Sequence, residues 1–271
     1  MTGINASIVT FRTDPDELTN IIYLLAASDI DNIYIVDNSP DDYLRHVVDP
    51  TGANYMSSGG NIGYGAAHNI AIRLSLQQPD CRYHLVVNSD IDFDPKVIEA
   101  IKKHMDDNED IGQLIPRVNF PDGRLQSVVR LLPTPLDVFG RRFLPRFIFK
   151  SRNARYTLAF WDHNSEANVA YHQGSFMFLR TDTLRKAGIF DERFFMYPED
   201  IDLTRRIHAH SRTVYWPGVT IVHHHRASSY KSFRMLRIHI VNMIKYFNKW
   251  GWFFDRERRR INLGILKTLG F

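Results

Sequence analysis

Short apolar runs and amphipathic stretches alternate through the first hundred residues of the chain. Residues 4–11 (INASIVTF), 32–37 (NIYIVD), 53–58 (ANYMSS) and 83–88 (YHLVVN) are rich in Ile, Val and Tyr and predict strands. Residues 14–28, 63–78 and 94–105 carry apolar positions at helical spacing and predict helices. Strand and helix in alternation predict an α/β layered domain on a mainly parallel sheet. Residues 118–173 break the rhythm, with prolines at 121, 133, 135 and 145, and read as an irregular insertion beside the site. Order resumes with a strand at 174–180 and a helix over 181–188, capped by its Thr and closed by Gly188. A helix over 198–210 and strands at 212–217 and 219–225 follow.

In open parallel sheets, ligands bind outside the carboxyl ends of the strands. Phe11-Arg12, Asp37-Asn38, Ser58 to Asn61 and Asn88 to Asp92 are therefore expected to converge on one crevice. The last group is unusual, because Asp90, Asp92 and Asp94 crowd directly behind the apolar Val86-Val87. Like charges at close range repel, so such a cluster sits on an exposed turn or is held by a cation. Asp90 and Asp92 could share one divalent ion; equally, the turn could be solvated, with Asp94 capping the next helix.

Three other stretches carry candidate chemistry. In SSGGNIGYGAAHN (57–69), four glycines would let the backbone approach anionic oxygens, although a flexible connection with a helix cap accounts for the same residues. It is neither a P-loop nor a dinucleotide fingerprint. Glu199, Asp200 and Asp202 fall in one helical turn, as dipole partners or as a carboxylate base. Glu199 and Asp202 share a face there, and Asp200 points elsewhere. His223, His224 and His225 end an apolar strand, where alternation puts His223 and His225 on one face. Each is either a half-exposed polar residue or an extra ligand for a cation at the aspartates.

Composition narrows the setting. With 271 residues, 44% of them hydrophobic, the chain suits one large domain or one domain with an appendage. A lone cysteine, Cys81, excludes an internal disulfide framework and fits a reducing compartment. The N-terminus has no basic segment before an apolar stretch, so no secretory signal is expected, and no run of 18 apolar residues predicts a membrane span. The formal charge of +4 is uneven: residues 226–271 hold eleven Lys/Arg against two Asp/Glu, and the body before them is mildly acidic. That balance argues against a nucleic-acid binder and for an anionic surface met by one end. Phe233, Leu236, Ile240, Met243 and Phe247 mark one apolar helix face, flanked by Lys231, Arg234, Arg237, Lys245 and Lys249. Such a face packs on the domain or a second subunit, or it anchors at an anionic membrane.

Taken in order, SIVTF, VDNS, GGNIGYGAAHN, NSDID, GSFMFLR, FFMYPEDIDLTRRI and VYWPGVTIVHHHRASS resemble glycosyltransferase family 2 over about residues 4–230. They are most like its rhamnosyltransferase-like members, which build bacterial surface polysaccharides. The resemblance implies a GT-A fold: a Rossmann-like, mainly parallel sheet flanked by helices, with a C-terminal amphipathic helical tail. It implies a catalytic domain over 1–227, nucleotide-binding to about 117 and acceptor-side from 118, and a basic tail over 228–271. It implies inverting, metal-dependent transfer from a dTDP- or UDP-sugar to a hydroxyl of a lipid-linked glycan. By the same resemblance Thr10 and Asp37 hold the base, and the Asn61–Gly63 turn lines the nucleotide pocket. Phe11, Arg12, Asn69, Gly174, Ser175 and Asp202 join the substrate-binding set. Asp90 faces ribose or donor sugar, and Asp92, with Asp90 and His223, binds Mn²⁺ or Mg²⁺; whether His225 joins them stays open. Asp200 is the general base, with Glu199 beside it in the catalytic set. Many members have Asn where this chain has Arg12, so contacts at that edge are left open.

The implied partners are a nucleotide-diphospho-sugar and a glycan acceptor, without nucleic acid. The implied place is the cytoplasmic face of the inner membrane, touched through the tail, with a homodimer as a further possibility. Two other classes compete. A nucleotidyltransferase would want a basic residue in its glycine loop, and residues 57–69 hold no Lys or Arg. A non-catalytic nucleotide-sugar-binding protein would need no base.

Overall fold

The computed structural model describes residues 3–140, 146–224 and 233–271, with the backbone alone at 146–148. Its strands are β1 (Ile4–Thr10), β2 (Asn32–Asp37), β3 (Asn54–Ser57), β4 (Tyr83–Val87), β5 (Ile91–Asp92), β6 (Ile111–Asn119), β7 (Ala167–Asn168), β8 (Phe176–Arg180) and β9 (Arg212–His223). They form one sheet in the order β3-β2-β1-β4-β8-β6-β9-β5, with β7 paired to β9 off that path. The helices are α1 (Pro15–Ala26), α2 (Arg45–Val48), α3 (Tyr64–Gln77), α4 (Lys96–Asp107), α5 (Arg146–Tyr156), α6 (Thr181–Ala187), α7 (Glu199–His208), α8 (Phe233–Trp250) and α9 (Arg256–Thr268).

The first four strands are parallel, as the alternation predicts. α1 buries Leu18, Ile21, Ile22 and Leu25, one stripe at helical spacing, and Asp14 caps it by accepting from the amides of Asp16 and Glu17. α3 docks on the sheet through polar groups as well: the Ser7 hydroxyl lies 2.7 Å from His68 Nδ1 and 2.8 Å from His84 Nε2. Burial pushes His84 down to about 3, so this contact is made by neutral rings. α3 carries the glycine-rich turn at its start, so this docking sets where that turn sits.

The second half departs from expectation in several places. β8 is inserted antiparallel between β4 and β6. β6 itself is missed by the sequence reading, since Pro116 argues against a buried strand. The ladder to β9 resolves the conflict: Pro116 opposes Trp216, but Arg117 opposes Thr220, so the proline falls at a bulge where a ladder amide is not required. The two strands expected at 212–217 and 219–225 are accordingly one, kinked at Pro217-Gly218, where a Cβ on Gly218 would lie 2.3 Å from the Trp216 ring. His225 lies outside the described residues. The 118–173 insertion is irregular in part only, because it contains α5 and β7. Thr181 is no cap: its hydroxyl donates to the Cys81 carbonyl at 2.7 Å, and Arg180 holds the cap position without a side-chain bond.

The C-terminal helices follow the first of the two alternatives for their apolar face, packing on the domain: they contribute Met243, Tyr246, Phe247, Ile261, Ile265 and Leu266 to the same core as the sheet. The buried stripe starts further along than expected, and Phe233 is exposed. Arg205 of α7 grips Asp255 through two bonds of 2.7 and 2.9 Å, reaches Glu257 at 2.8 Å, and stacks 3.9 Å from the Trp250 ring. The expected division near 117 likewise falls inside β6.

Candidate active site

Thr10 and Asp37 end adjacent parallel strands in register. The Thr10 hydroxyl donates to one Asp37 oxygen at 3.0 Å, the Ser39 amide donates to the same oxygen at 2.9 Å, and the Tyr55 hydroxyl donates to the other at 2.8 Å. Both Thr10 and Asp37 are buried. The pair braces the edge of the crevice, and the exposed surface there belongs to Phe11 and to Arg12, which has φ 50°.

The glycine-rich turn meets the acidic helix. Gly63 has φ 97°, and a Cβ on it would lie 2.3 Å from the Phe195 carbonyl oxygen, so no other residue fits. The Tyr64 amide donates to that same carbonyl at 2.9 Å, and Asn61 Oδ1 accepts from the Gly63 amide at 3.1 Å. Tyr64 then reaches inward: its hydroxyl lies 2.6 Å from the Gly174 carbonyl and 2.9 Å from Asn88 Oδ1. Burial, with Glu199, Asp200 and Asp90 around it, holds the Tyr64 hydroxyl protonated well above its ordinary range. It therefore stands between the two acidic groups that the sequence singles out.

Gly174 passes the connection on. Its amide donates to Asp200 Oδ2 at 3.0 Å, and the Ile201 amide donates to Oδ1 at 2.8 Å, so both carboxylate oxygens are oriented. Burial raises Asp200 to about 6, against the opposing pull of those amides and of the Arg130 cation. Glu199 is different. Burial, and then the charge of Asp200, push it well above the ordinary carboxylate range, and its Oε2 has no hydrogen-bond partner among the described residues. Of the two neighbouring carboxyls, Asp200 is the one whose two oxygens are both oriented by backbone amides.

Two expected substrate contacts belong to the framework instead. Asn69 is buried, with its amide nitrogen 2.9 Å from both the Phe190 carbonyl and Glu192 Oε1 and its oxygen accepting from the Phe190 amide at 3.0 Å. Asp202 is buried as well and accepts from Arg206 at 2.9 Å, Trp250 Nε1 at 2.8 Å and Lys249 at 2.6 Å. Two of these partners, Lys249 and Trp250, belong to α8 and tie it to α7. Ser175 is buried beside Gly174, its hydroxyl without a hydrogen-bond partner among the described residues.

At the other end of the crevice, β5 pairs with the end of β9, placing Ile91 opposite His223 and Asp92 opposite Val222. His223 Nε2 lies 3.2 Å from Asp90 Oδ1, and His223 Nδ1 lies 3.0 Å from Gln126 Oε1. The Gln126 oxygen only accepts, so Nδ1 carries the proton and Nε2 is turned toward Asp90. Asp92 is exposed, and alternation along the ladder places it on the face opposite Ile91 and His223. Among the described residues no three His, Cys, Asp or Glu side chains are gathered as a metal cage; Asp90 and His223 converge as a pair, and Asp92 stands next to them on the ladder's other face. A pair suits Mg²⁺ or Mn²⁺, which keep several positions for water and phosphate oxygens. One carboxylate oxygen and one imidazole nitrogen converging within 3.2 Å fit such an ion.

Tyr64, Gln126 and Arg130 are the site residues that the sequence reading did not single out. Tyr64 lies within a stretch already marked, where an aromatic at a helix start looks like packing. Gln126 and Arg130 lie in the irregular insertion, where no period says which side chain turns inward.

Comparison with known proteins bears on the family and the fold. Residues 7–186 match the family model described as glycosyl transferase family 2. An N-acetylglucosaminyl-diphospho-decaprenol L-rhamnosyltransferase of Mycobacterium tuberculosis is 31% identical over 180 residues, covering 62% of this chain and 58% of that protein. The low-salt glycan biosynthesis hexosyltransferase Agl10 of Haloferax volcanii is 30% identical over 207 residues, covering 72% of this chain and 62% of that protein. The chain thus spans less than two thirds of the length of these relatives. Among solved structures, S. aureus TarS superposes with a TM-score of 0.54 at 15% identity, over 89% of this chain and 39% of that one. GalNAc-T7 with UDP, GalNAc and Mn²⁺ superposes with a TM-score of 0.56 at 10% identity, over 81% and 43%. At such identities the structural likeness speaks for the GT-A fold.

Proposed function

This chain belongs to glycosyltransferase family 2, and from that premise we propose that it transfers a sugar, with inversion, from a dTDP- or UDP-sugar to a hydroxyl of a growing lipid-linked glycan. The observation that carries the reading is Asp200, a carboxylate oriented by two amides and raised to about 6. A base poised near neutrality suits removal of a proton from a sugar hydroxyl. Asp200 takes that proton as the hydroxyl oxygen attacks the anomeric carbon, and the bond from that carbon to the diphosphate oxygen breaks on the opposite face. Phe11, Arg12, Asn61 and the Gly63 backbone border the nucleotide, with Thr10 and Asp37 bracing them from behind. Asp90 and His223, with Asp92 beside them, would hold Mn²⁺ or Mg²⁺ against the diphosphate. When bound, that ion supplies positive charge to the leaving nucleoside diphosphate.

The relatives support the choice of acceptor: one is named for rhamnosyl transfer to N-acetylglucosaminyl-diphospho-decaprenol, the other for glycan biosynthesis. A lipid-linked acceptor in turn favours work at the cytoplasmic face of the inner membrane. Incubation with dTDP- and UDP-sugars and a polyprenyl-diphospho-N-acetylglucosamine, with divalent ion or chelator, tests the reading. Transfer that stops in chelator and inverts the anomeric configuration by NMR is expected. Retention of configuration, or transfer undiminished by chelator, contradicts it.

A further inference from the structure

The turn between α8 and α9 places its most apolar side chains in water. Phe253 is 75% exposed and Phe254 is 97% exposed. Two adjacent phenylalanines offer a large apolar area at a single tip. The next residue is the opposite case: Asp255 is 3% exposed and locked to Arg205, itself 1% exposed. Asp255 also caps α9, accepting from the Arg258 amide at 2.9 Å. Gly251 turns the chain just before, at φ 98°. The backbone on both sides of the phenylalanines is thus fixed, and neither ring is tucked into the fold.

The helix that follows this tip opens with exposed basic side chains. Arg256, Arg259 and Arg260 are exposed on the first turns of α9, whereas the two local acids, Asp255 and Glu257, are held by Arg205. An exposed aromatic pair followed by exposed arginines, with no ion pair of theirs among the described residues, matches the two components of an anionic lipid surface: headgroup charge, and an acyl boundary that takes up aromatic rings. We propose that Phe253 and Phe254 enter an anionic bilayer as a fixed wedge, with Arg256, Arg259 and Arg260 on the headgroups. This differs from a floppy basic tail, because the wedge is bolted to the catalytic helix. Arg205 is five residues along α7 from Asp200, and Lys249 and Trp250 hold Asp202 on the same helix. Depth at the membrane and position of Asp200 are therefore set by one rigid unit. A lipid-linked acceptor would meet Asp200 at a constant height.

The inference rests on the surface alone and uses the transfer reading only for its purpose. Its test accordingly contains no substrate. Full-length protein is sedimented with vesicles of phosphatidylglycerol and phosphatidylcholine, or of phosphatidylcholine only, at low and physiological salt. Binding to the anionic vesicles is expected, and F253S/F254S should weaken it by at least about tenfold, given the apolar area removed. R256Q/R259Q/R260Q should remove most of the salt-sensitive part, because screening acts over about 8–10 Å at physiological ionic strength. Cys81 is buried, so F254C can be labelled there with a polarity-sensitive dye, whose emission should shift to the blue on anionic vesicles. Circular dichroism and an unchanged unfolding midpoint establish that each variant is folded. Wild-type binding by folded F253S/F254S, no binding of the full chain to anionic vesicles, or a dye that stays in water each overturns the proposal. So does a concentration-dependent dimer that F253S/F254S abolishes, since a second copy would then cover the tip.

Discussion

At His223 a single hydrogen bond decides which nitrogen faces the crevice. With Nδ1 directed at Gln126, Nε2 faces Asp90. Without Gln126 the ring can rotate or change tautomer, and a cation would lose a fixed nitrogen. Partners one shell out from a metal ligand typically change affinity by about 10–100-fold. Q126A should accordingly weaken Mn²⁺ binding in the presence of the nucleoside diphosphate by that order, as read by electron paramagnetic resonance of free Mn²⁺, with the unfolding midpoint nearly unchanged. Q126E, which keeps an acceptor, should recover part of the loss. Unaltered Mn²⁺ affinity in folded Q126A would remove Gln126 from any positioning role.

Among the elements, α7 is the junction. Its first turn presents Asp200 to the crevice, and its later residues bind the C-terminal helices through Asp202 and Arg205. Breaking a buried pair leaves one charge unmet, which costs roughly 3–5 kcal/mol. R205A should therefore lose about that much stability in urea unfolding, and removal of everything after Ser229 should leave no folded domain. An R205A protein as stable as wild type would mean that the Arg205–Asp255 pair does not hold the C-terminal helices in place. The same helix illustrates what a sequence can and cannot convey. Its acidic start is visible as Glu199, Asp200 and Asp202, but their division of labour is not. Asp202 becomes an anchor because Trp250 and Lys249 return to it from nearly fifty residues away. The parallel strands and α1 were legible because their apolar period is local. β6 was hidden because the bulge that accommodates Pro116 is formed by β9, about a hundred residues later.

Across the whole molecule, the site joins two halves that fold from distant parts of the chain. The parallel half supplies the glycine-rich turn and Asp90; the later half supplies Asp200, Gln126 and His223. Gly63 against Phe195, and Tyr64 against Gly174, are the points where they touch. The central claim is that this junction exists to hold Asp200 as the proton acceptor beside a bound donor. Burial raises Asp200, so its ionised form is lost as pH falls through about 6, and wild-type transfer should decline below that value. D200N keeps the shape, accepts no proton, and removes a charge from beside Glu199, so folding should not suffer. The most direct measurement is transfer by D200N over pH 5–8, alongside donor binding by calorimetry. Transfer lower by roughly two to four orders of magnitude at every pH, with donor affinity within about threefold of wild type, is the predicted result. Transfer near the wild-type rate by D200N, still declining below pH 6, would place the base elsewhere.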